Sequence, residues 1–425
     1  MKRTILCLSI LIFLFVPNLK AEEIALTLDE AVSLALRNNR DILLKSEDVK
    51  KAKAKIKEAK AGLWPTLDFT AGWKDARQLY AKDIGAYSTQ VGLTQILYMS
   101  GKVINAIKVN EYKYIASAAV LDKTKSEIIL NVKKAFYTLI LANKFAQINK
   151  QIVENTREHI NFMQARFDQG ESSQSDMIKM RSALASVQQA YEASANQTEA
   201  AISLLSNLLF FDNGVKIKAS DPLKYEPKEM AYDEAFVKAL QHRPEIKQFE
   251  AEHKQAEKAV MIAKADARPA VLASWDYYSS SRSSSGGIVT TTAKGWADYN
   301  VLGITVSWPI FDGWLTKSKL DQALIDLKQA QLLKDKTIKD IALEVKTSYL
   351  DLKNALEKVK STNVQAAASQ DNLCVFQEKY NVGMISLLDL HDAKLSNEVA
   401  FFNQIQAQYD YIIAKAGFDK ATGGI

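Results

Sequence analysis

The chain is written twice. Residues 29–65 align without a gap to 233–269, so that "DEAVSLALRNNRDI" faces "DEAFVKALQHRPEI", and 12 of the 37 pairs are identical. A later stretch repeats at an offset of 213. There Ile128, Leu130, Val132 and Lys133 match Ile341, Leu343, Val345 and Lys346, while Gly170, Ser173 and Asp176 match Gly383, Ser386 and Asp389. Two copies of this length are far too long for solenoid repeats and predict two structurally similar halves.

Each half follows one plan. A helix-like segment comes first (29–62 and 231–267), then a strand-like segment with turns (64–98 and 268–311). Next runs a stretch with neither Gly nor Pro, 102–169 in the first half and 314–382 in the second. As helices these stretches would reach roughly 100 Å at 1.5 Å per residue. Gly170 and Gly383 close them, and further Gly/Pro-free runs follow at 171–213 and 384–416. Apolar residues recur every three or four positions, as in Ile128, Val132, Ala135, Phe136, Leu139 and Ile140, which predicts amphipathic helices packed along a seam. The helices alone are equally compatible with ordinary antiparallel coiled coils.

The strands separate these readings. All six tryptophans, Trp64, Trp73, Trp275, Trp296, Trp308 and Trp314, lie in or beside the two strand-like segments. Leu67, Phe69, Ala71 and Trp73 alternate with Asp68, Thr70, Gly72 and Lys74, and Leu302, Ile304, Val306 and Trp308 with Val301, Gly303, Thr305 and Ser307. Period-two apolar faces flanked by aromatics predict lipid-facing strands with aromatic girdles, although a half-buried soluble sheet would alternate too. Each segment holds one hairpin, so the chain supplies four strands. Four strands cannot close a membrane barrel, and open edges are forbidden in lipid. The barrel must be shared between chains.

Composition narrows the function classes. The chain is 48% hydrophobic and 24% charged, which excludes a disordered chain, and a net charge of +6 over 425 residues does not point to nucleic acid. Two cysteines, Cys7 and Cys374, exclude a disulfide framework and a Cys-based zinc site. Lys2 and Arg3 precede an apolar run from Ile5 to Val16, followed by Pro17–Ala21, which reads as a secretory signal peptide cleaved after Ala21. A membrane anchor is the rival, but the run is short for a span. Cys7 is badly placed for a lipid anchor.

The "DEA…AL" openings, the duplicated helix–hairpin–helix plan and "KYNVGMISLLDLHDAKLSNEVA" resemble the TolC family of outer-membrane efflux proteins. "WPIFDGW" looks like that family's aromatic–Asp–Gly turn from strand to helix, and "ILYMSGK" is its counterpart with one extra residue. The resemblance spans about 24–420. It implies a homotrimer, in which three chains give four strands each to one twelve-stranded β-barrel continuous with a long periplasmic α-helical barrel. It implies an exit duct that passively conducts substrates of an inner-membrane pump (RND, ABC or MFS type), in tripartite efflux or type I secretion, docked through a periplasmic adaptor protein. The expected organisation is a signal peptide (1–21), a first repeat (22–213), a connector near the equatorial region (214–230) and a second repeat (231–425).

On this reading Gly170 and Gly383 are the periplasmic tip turns. Tyr380 and Asp176 stand where the family forms a hydrogen-bond lock, but Ile385 replaces its arginine. Asp389 and Asp392 stand where the family carries two aspartates at the pore entrance, and the six tryptophans form the girdle. Local alternatives exist: Asp176 with Ser173, and Asp389 with Ser386, also fit helix-capping patterns.

Other features have blander readings. The lysines Lys45, Lys50, Lys51, Lys53, Lys55, Lys57 and Lys60 suit a solvated helix face or an anionic partner. The segment 279–295 reads as the external loop between the third and fourth strands, with 77–86 as its counterpart. Cys374 reads as a packed apolar residue and His391, beside Asp389 and Asp392, as part of a helix start rather than a metal ligand. No nucleophile elbow, zincin, Walker or dinucleotide motif occurs, so an enzyme has no support and no cofactor is expected. A surface stalk or adhesin remains the alternative to the duct.

Overall fold

The computed structural model describes residues 23–79, 82–170, 173–211, 215–222, 227, 231–285 and 297–424. The signal peptide with Cys7, Trp296, residues 286–295 of the polar loop and residues 214, 223–226 and 228–230 of the connector lie outside the described residues. The chain forms two compact units. One comprises Met1–Leu43, Thr124–His242 and Ile341–Ile425, and the other Leu44–Lys123 and Arg243–Asp340. Each unit draws on both sequence halves.

The second unit holds four long strands, β2 (Thr66–Leu79), β3 (Lys82–Tyr98), β5 (Ala270–Ser285) and β6 (Ala297–Ser307). They form one antiparallel sheet in the order β2-β3-β5-β6. Both hairpins are therefore formed, and β3 joins them. Helices α2 (Arg40–Ala61) and α6 (Pro244–Ala265) lead into β2 and β5, and α3 (Lys102–Asp168) and α7 (Leu315–Asn381) leave β3 and β6. The bounds of α3 and α7 follow the Gly/Pro-free stretches to within a residue or two, because nothing inside them interrupts the backbone ladder.

The first unit contains the later parts of α3 and α7, with α1 (Leu28–Asn38), α4 (Gln174–Leu209), α5 (Tyr232–His242) and α8 (Leu387–Ala421). The periodic apolar residues are its core: Val132, Phe136 and Leu139 on α3 and Val345 on α7 are fully buried. Ala355 and Val359 of α7 pack against Ala407 and Tyr411 of α8. Met163 of α3 packs with Met177 and Met180 of α4. Each large apolar side chain buried in such a seam contributes about 1.5–3 kcal/mol.

Four local features depart from expectation. The opening helices are not continuous; each breaks at equivalent positions, after Asn38 and after His242. Asn39 has extended backbone, and its Oδ1 accepts the Asp41 amide at 2.9 Å, so it ends α1 and starts α2. In the second copy Pro244 drives Arg243 into the same conformation, since the residue before proline is pushed out of the helical region. Secondly, α8 runs on through Gly417 to Ala421, because one glycine costs only about 1 kcal/mol in a packed helix. Thirdly, β1 (Glu23–Leu26) and β4 (Lys216–Ala219), which the sequence reading missed, pair in parallel. They are four residues each, too short for a periodic signal.

The fourth concerns the strand-to-helix turns. Consecutive left-handed residues occur at Ser100 and Gly101 and at Gly313 and Trp314, each pair 213 apart from its counterpart. The two turns therefore match position for position up to the helix starts, Lys102 and Leu315. The apparent extra residue in "ILYMSGK" is a change in which left-handed position carries the glycine.

Candidate functional site

The sheet is two-faced. On one face lie Leu67, Phe69 and Trp73 of β2, Tyr87 and Leu93 of β3, Trp275 of β5, and Leu302, Ile304 and Val306 of β6, all exposed, with Leu302 at 81%. The register makes them neighbours: Leu67 faces Leu93, Leu93 faces Trp275, and Trp275 faces Leu302. Apolar side chains left uncovered across four adjacent strands fit an apolar solvent better than water. Trp73 is seven residues along β2 from Thr66, about 23 Å on an extended strand, and Trp64 lies in the turn that joins α2 to β2. Trp64, Trp308 and Trp314 lie at the helix end of the sheet and are exposed. Trp275 sits inside the band rather than at its edge.

The other face is polar. Gln90 donates to Asp276 Oδ1 at 2.9 Å and to the Tyr278 hydroxyl at 3.2 Å. Gly92 leaves room beside them: a Cβ there would stand 2.8 Å from Asp276 Oδ1, so a larger residue would make that carboxylate move. Neither outer edge, β2 nor β6, has a strand partner among the described residues. In lipid those edges need strands from further chains.

The helix turns lie in the first unit. Gly170 and Gly383 have φ of +79° and +75°, as the sequence required of residues just past a helix end. At Gly383 the turn is complete: the Gly383 amide donates to the Tyr380 carbonyl and the Met384 amide to the Lys379 carbonyl, both at 2.9 Å. Tyr380 itself is half-buried, and Asp176 lies in the first turn of α4 with its side chain outside the described residues.

Beyond Gly383, α8 starts on a formed capping box. The Ser386 amide and hydroxyl donate to Asp389 Oδ2 at 3.0 and 2.7 Å, and the Asp389 amide donates to Ser386 Oγ at 3.2 Å. These bonds, the side-chain one foremost, hold the Asp389 carboxyl below its ordinary pKa. Asp392 is also exposed and makes no hydrogen bond or ion pair among the described residues. Between them Leu390 and His391 turn inward, His391 to 4% exposure. The start of α8 thus sends its carboxylates outward and its imidazole into the core. The His391 ring meets the His159 ring of α3, a pairing the sequence reading missed because the two lie far apart in the chain. Cys374 is exposed, where the sequence reading packed it.

Among the described residues no helix is long and apolar enough to cross a membrane, and no three His, Cys, Asp or Glu side chains are placed to hold a metal. If the chain crosses a bilayer, β2, β3, β5 and β6 do so.

The sequence profile of the outer membrane efflux protein family matches residues 31–209 and 235–424. The toluene efflux pump outer membrane protein TtgC of Pseudomonas putida is 23% identical over 409 residues, covering 93% of this chain and 83% of the relative. The fold matches the CmeC outer membrane channel of Campylobacter jejuni with a TM-score of 0.83 at 18% identity, over 93% of this chain and 85% of that one. It matches the open state of the Neisseria gonorrhoeae MtrE outer membrane channel at 0.79 and 20% identity, over 93% and 88%. The chain belongs to the outer membrane efflux protein family.

Proposed function

We propose that this chain is the outer-membrane exit duct of a tripartite efflux or type I secretion assembly, passively conducting substrates delivered by an inner-membrane pump. The observation that carries this reading is the two-faced sheet with two open edges, apolar outside and polar within. Three copies close a twelve-stranded barrel in outer-membrane lipid, and their helices continue it into the periplasm as a hollow α-barrel. The relatives' description as outer membrane components of efflux pumps supports an adaptor protein and an RND, ABC or MFS pump as partners. Catalysis is no part of this reading, since the family and its structural neighbours are channels.

Gly170 and Gly383 are the periplasmic tip turns at which an adaptor docks. Tyr380 and Asp176 form a lock holding the tip closed, weakened here by Ile385. Asp389 and Asp392 line the entrance. The halves 22–213 and 231–425 are the repeats, with 214–230 an equatorial connector. The deciding experiment reconstitutes the detergent-purified protein in planar bilayers. A trimer with discrete conductance steps is expected. A purified oligomer that inserts without conducting would leave a stalk or adhesin instead.

A further inference from the structure

Within the sheet-bearing unit the helices follow the strand order β2-β3-β5-β6, as α2, α3, α6 and α7. Val103 of α3 lies against Gly62 just past α2, and Lys102 of α3 pairs with Asp266 just past α6 at 2.5 Å. Lys334 of α7 pairs with Glu250 of α6 at 3.7 Å. The inner helices α3 and α6 thus have a neighbour on each side, and the outer helices α2 and α7 have one each.

The duplication makes the outer helices comparable with the inner ones, because α2 repeats as α6 and α3 as α7, at offsets of 204 and 213. On its α3 side α6 carries Ala251, Gln255, Lys258, Ile262 and Ala265, all buried or half-buried. Their counterparts on α2, Glu47, Lys51, Ala54, Glu58 and Ala61, are all exposed. Ala61 and Ala265 are the same residue type, so side-chain size does not cause the contrast. On its α6 side α3 carries Asn105, Val109, Tyr112, Ala116 and Ala119, again buried or half-buried, and Ala116 borders one cleft with Gln255. Their counterparts on α7, Ser318, Gln322, Ile325, Gln329 and Leu332, are all exposed, Leu332 at 56% against 5% for Ala119. The side that α2 turns to α3 shows no such contrast: Ala52 is buried and its counterpart Ala256 half-buried. Each outer helix therefore bares the row with which its inner counterpart packs.

The packed pair also supplies a register. Helices α3 and α6 run antiparallel, and Lys102 with Asp266 puts the start of one beside the end of the other. Counting inward from that pair brings Tyr112 level with Gln255 and Ala116 level with Ala251, to within one residue. Carried through the two offsets, the same pairing sets Ser318 against Glu58, Gln322 against Ala54, Ile325 against Lys51 and Gln329 against Glu47. Both rows step by alternating fours and threes, so the layers stay matched along the seam, as in antiparallel coiled coils.

We propose that the bared row of α7 is the docking surface for the bared row of α2 in a second copy of this chain, in this register. The proposal rests on the duct reading and specifies the helix contact that joins its chains. The open sheet edges agree with it: β6 leads into α7 and β2 follows α2, so strands that pair β6 to β2 between copies bring the same two helices together. The contact joins different surfaces of the two copies, so it propagates around a ring instead of closing a two-fold pair.

The test is disulfide crosslinking of the detergent-purified full chain carrying Cys374→Ser. Gln322→Cys with Ala54→Cys, and Gln329→Cys with Glu47→Cys, should each form covalent oligomers on mild oxidation. Gln322→Cys with Glu47→Cys shifts the register by seven residues, about 10 Å along the helix, and should lose the crosslink. Leu332→Cys should be shielded from a maleimide in the oligomer and labelled once the chains are dissociated. Crosslinking that is equal in matched and shifted pairs, or that occurs with Ala54→Cys alone, would overturn the seam. So would matched pairs that fail to crosslink in conducting channels, or Leu332→Cys that labels freely in them and so leaves the row open to another partner. Those outcomes leave the duct intact, whereas absence of conductance in the parent Cys374→Ser protein would overturn the duct.

Discussion

His159 of α3 and His391 of α8 meet edge to face, with ring centroids 5.7 Å apart. His391 Nε2 has no hydrogen-bond partner, and the Lys394 ammonium stands 3.5 Å from His159 Nε2. Burial foremost, then Lys394 and the partner ring, hold His159 down to about 4. Burial also lowers His391, with Lys394 acting the same way and Asp392 opposing. Both rings are therefore packed as neutral groups.

The sign of the pH dependence follows. An unfolded histidine takes up its proton near pH 6.5, and the packed pair does so only in stronger acid. The folded state is thus fully favoured above about 6.5 and loses ground as pH falls from there toward about 4. Hydrogen exchange corrected for intrinsic rates should show the segments around His159 and His391 opening at pH 5 more than at pH 7.5. His159→Leu combined with His391→Leu removes both protonatable rings and should flatten that difference. Equal acid-induced opening in wild type and double variant would place the sensitivity elsewhere.

Gly383 permits a second prediction because its surroundings are empty. A Cβ there would find nothing within 4 Å, so a substitution meets only backbone strain at φ +75°. Gly383→Val should cost about 1–2 kcal/mol of local stability. Gly383→Asn, which tolerates this conformation, should cost less. Adaptor crosslinking should fall in that order while the β-barrel stays folded. Crosslinking and transport that survive Gly170→Val combined with Gly383→Val would rule out these turns as the docking tips.

Much of this architecture was legible in the sequence, for a physical reason. Long helices and membrane strands write strong periodic patterns, so α3, α7 and the two hairpins could be read from Gly/Pro absence and alternation. The break at Asn39 was not legible, because apolar spacing continues across it and one side-chain hydrogen bond to Asp41 decides it. For its counterpart Pro244 is a visible signal, since a proline ends the helix before it. The capping box at Ser386 was legible as one of two rival readings. The inward turn of His391 was not, since its place depends on a partner more than two hundred residues away.

The apolar face of the sheet yields a third prediction. Ile304 lies on β6 opposite Ala273, in the band bounded by the exposed tryptophans. If that band faces lipid, Ile304→Arg places a charge in hydrocarbon and should destabilise the assembled barrel by about 2–4 kcal/mol at mid-depth. Thr305→Arg, one residue along and on the polar face, should be tolerated far better. Heat-modifiable migration of the trimer in detergent gels would report both. A barrel indifferent to Ile304→Arg would contradict the membrane assignment of this face.

Asp389 and Asp392 give the last prediction, because the structure separates two roles that the sequence left entangled. Asp389 caps α8 through Oδ2, whereas Asp392 is outside the capping box. Both are exposed and three residues apart, so they share a face, and three chains would bring six carboxylates around one entrance. The first half carries Lys179 at the place of Asp392, so local capping does not explain the second carboxylate. The Asp389 cap, with its lowered pKa, is fully present above the ordinary aspartate value of 3.8 and is lost only as pH falls through the lowered value. Asp392→Asn should reduce bilayer cation preference and block by multivalent cations without changing thermal stability. Ser386→Ala should do the reverse, costing about 1 kcal/mol of helix stability with selectivity unchanged. Asp389→Asn should do both. If Asp392→Asn combined with Asp389→Asn leaves reversal potential and cation block intact, the carboxylates do not line the pore, and capping is all that Asp389 does.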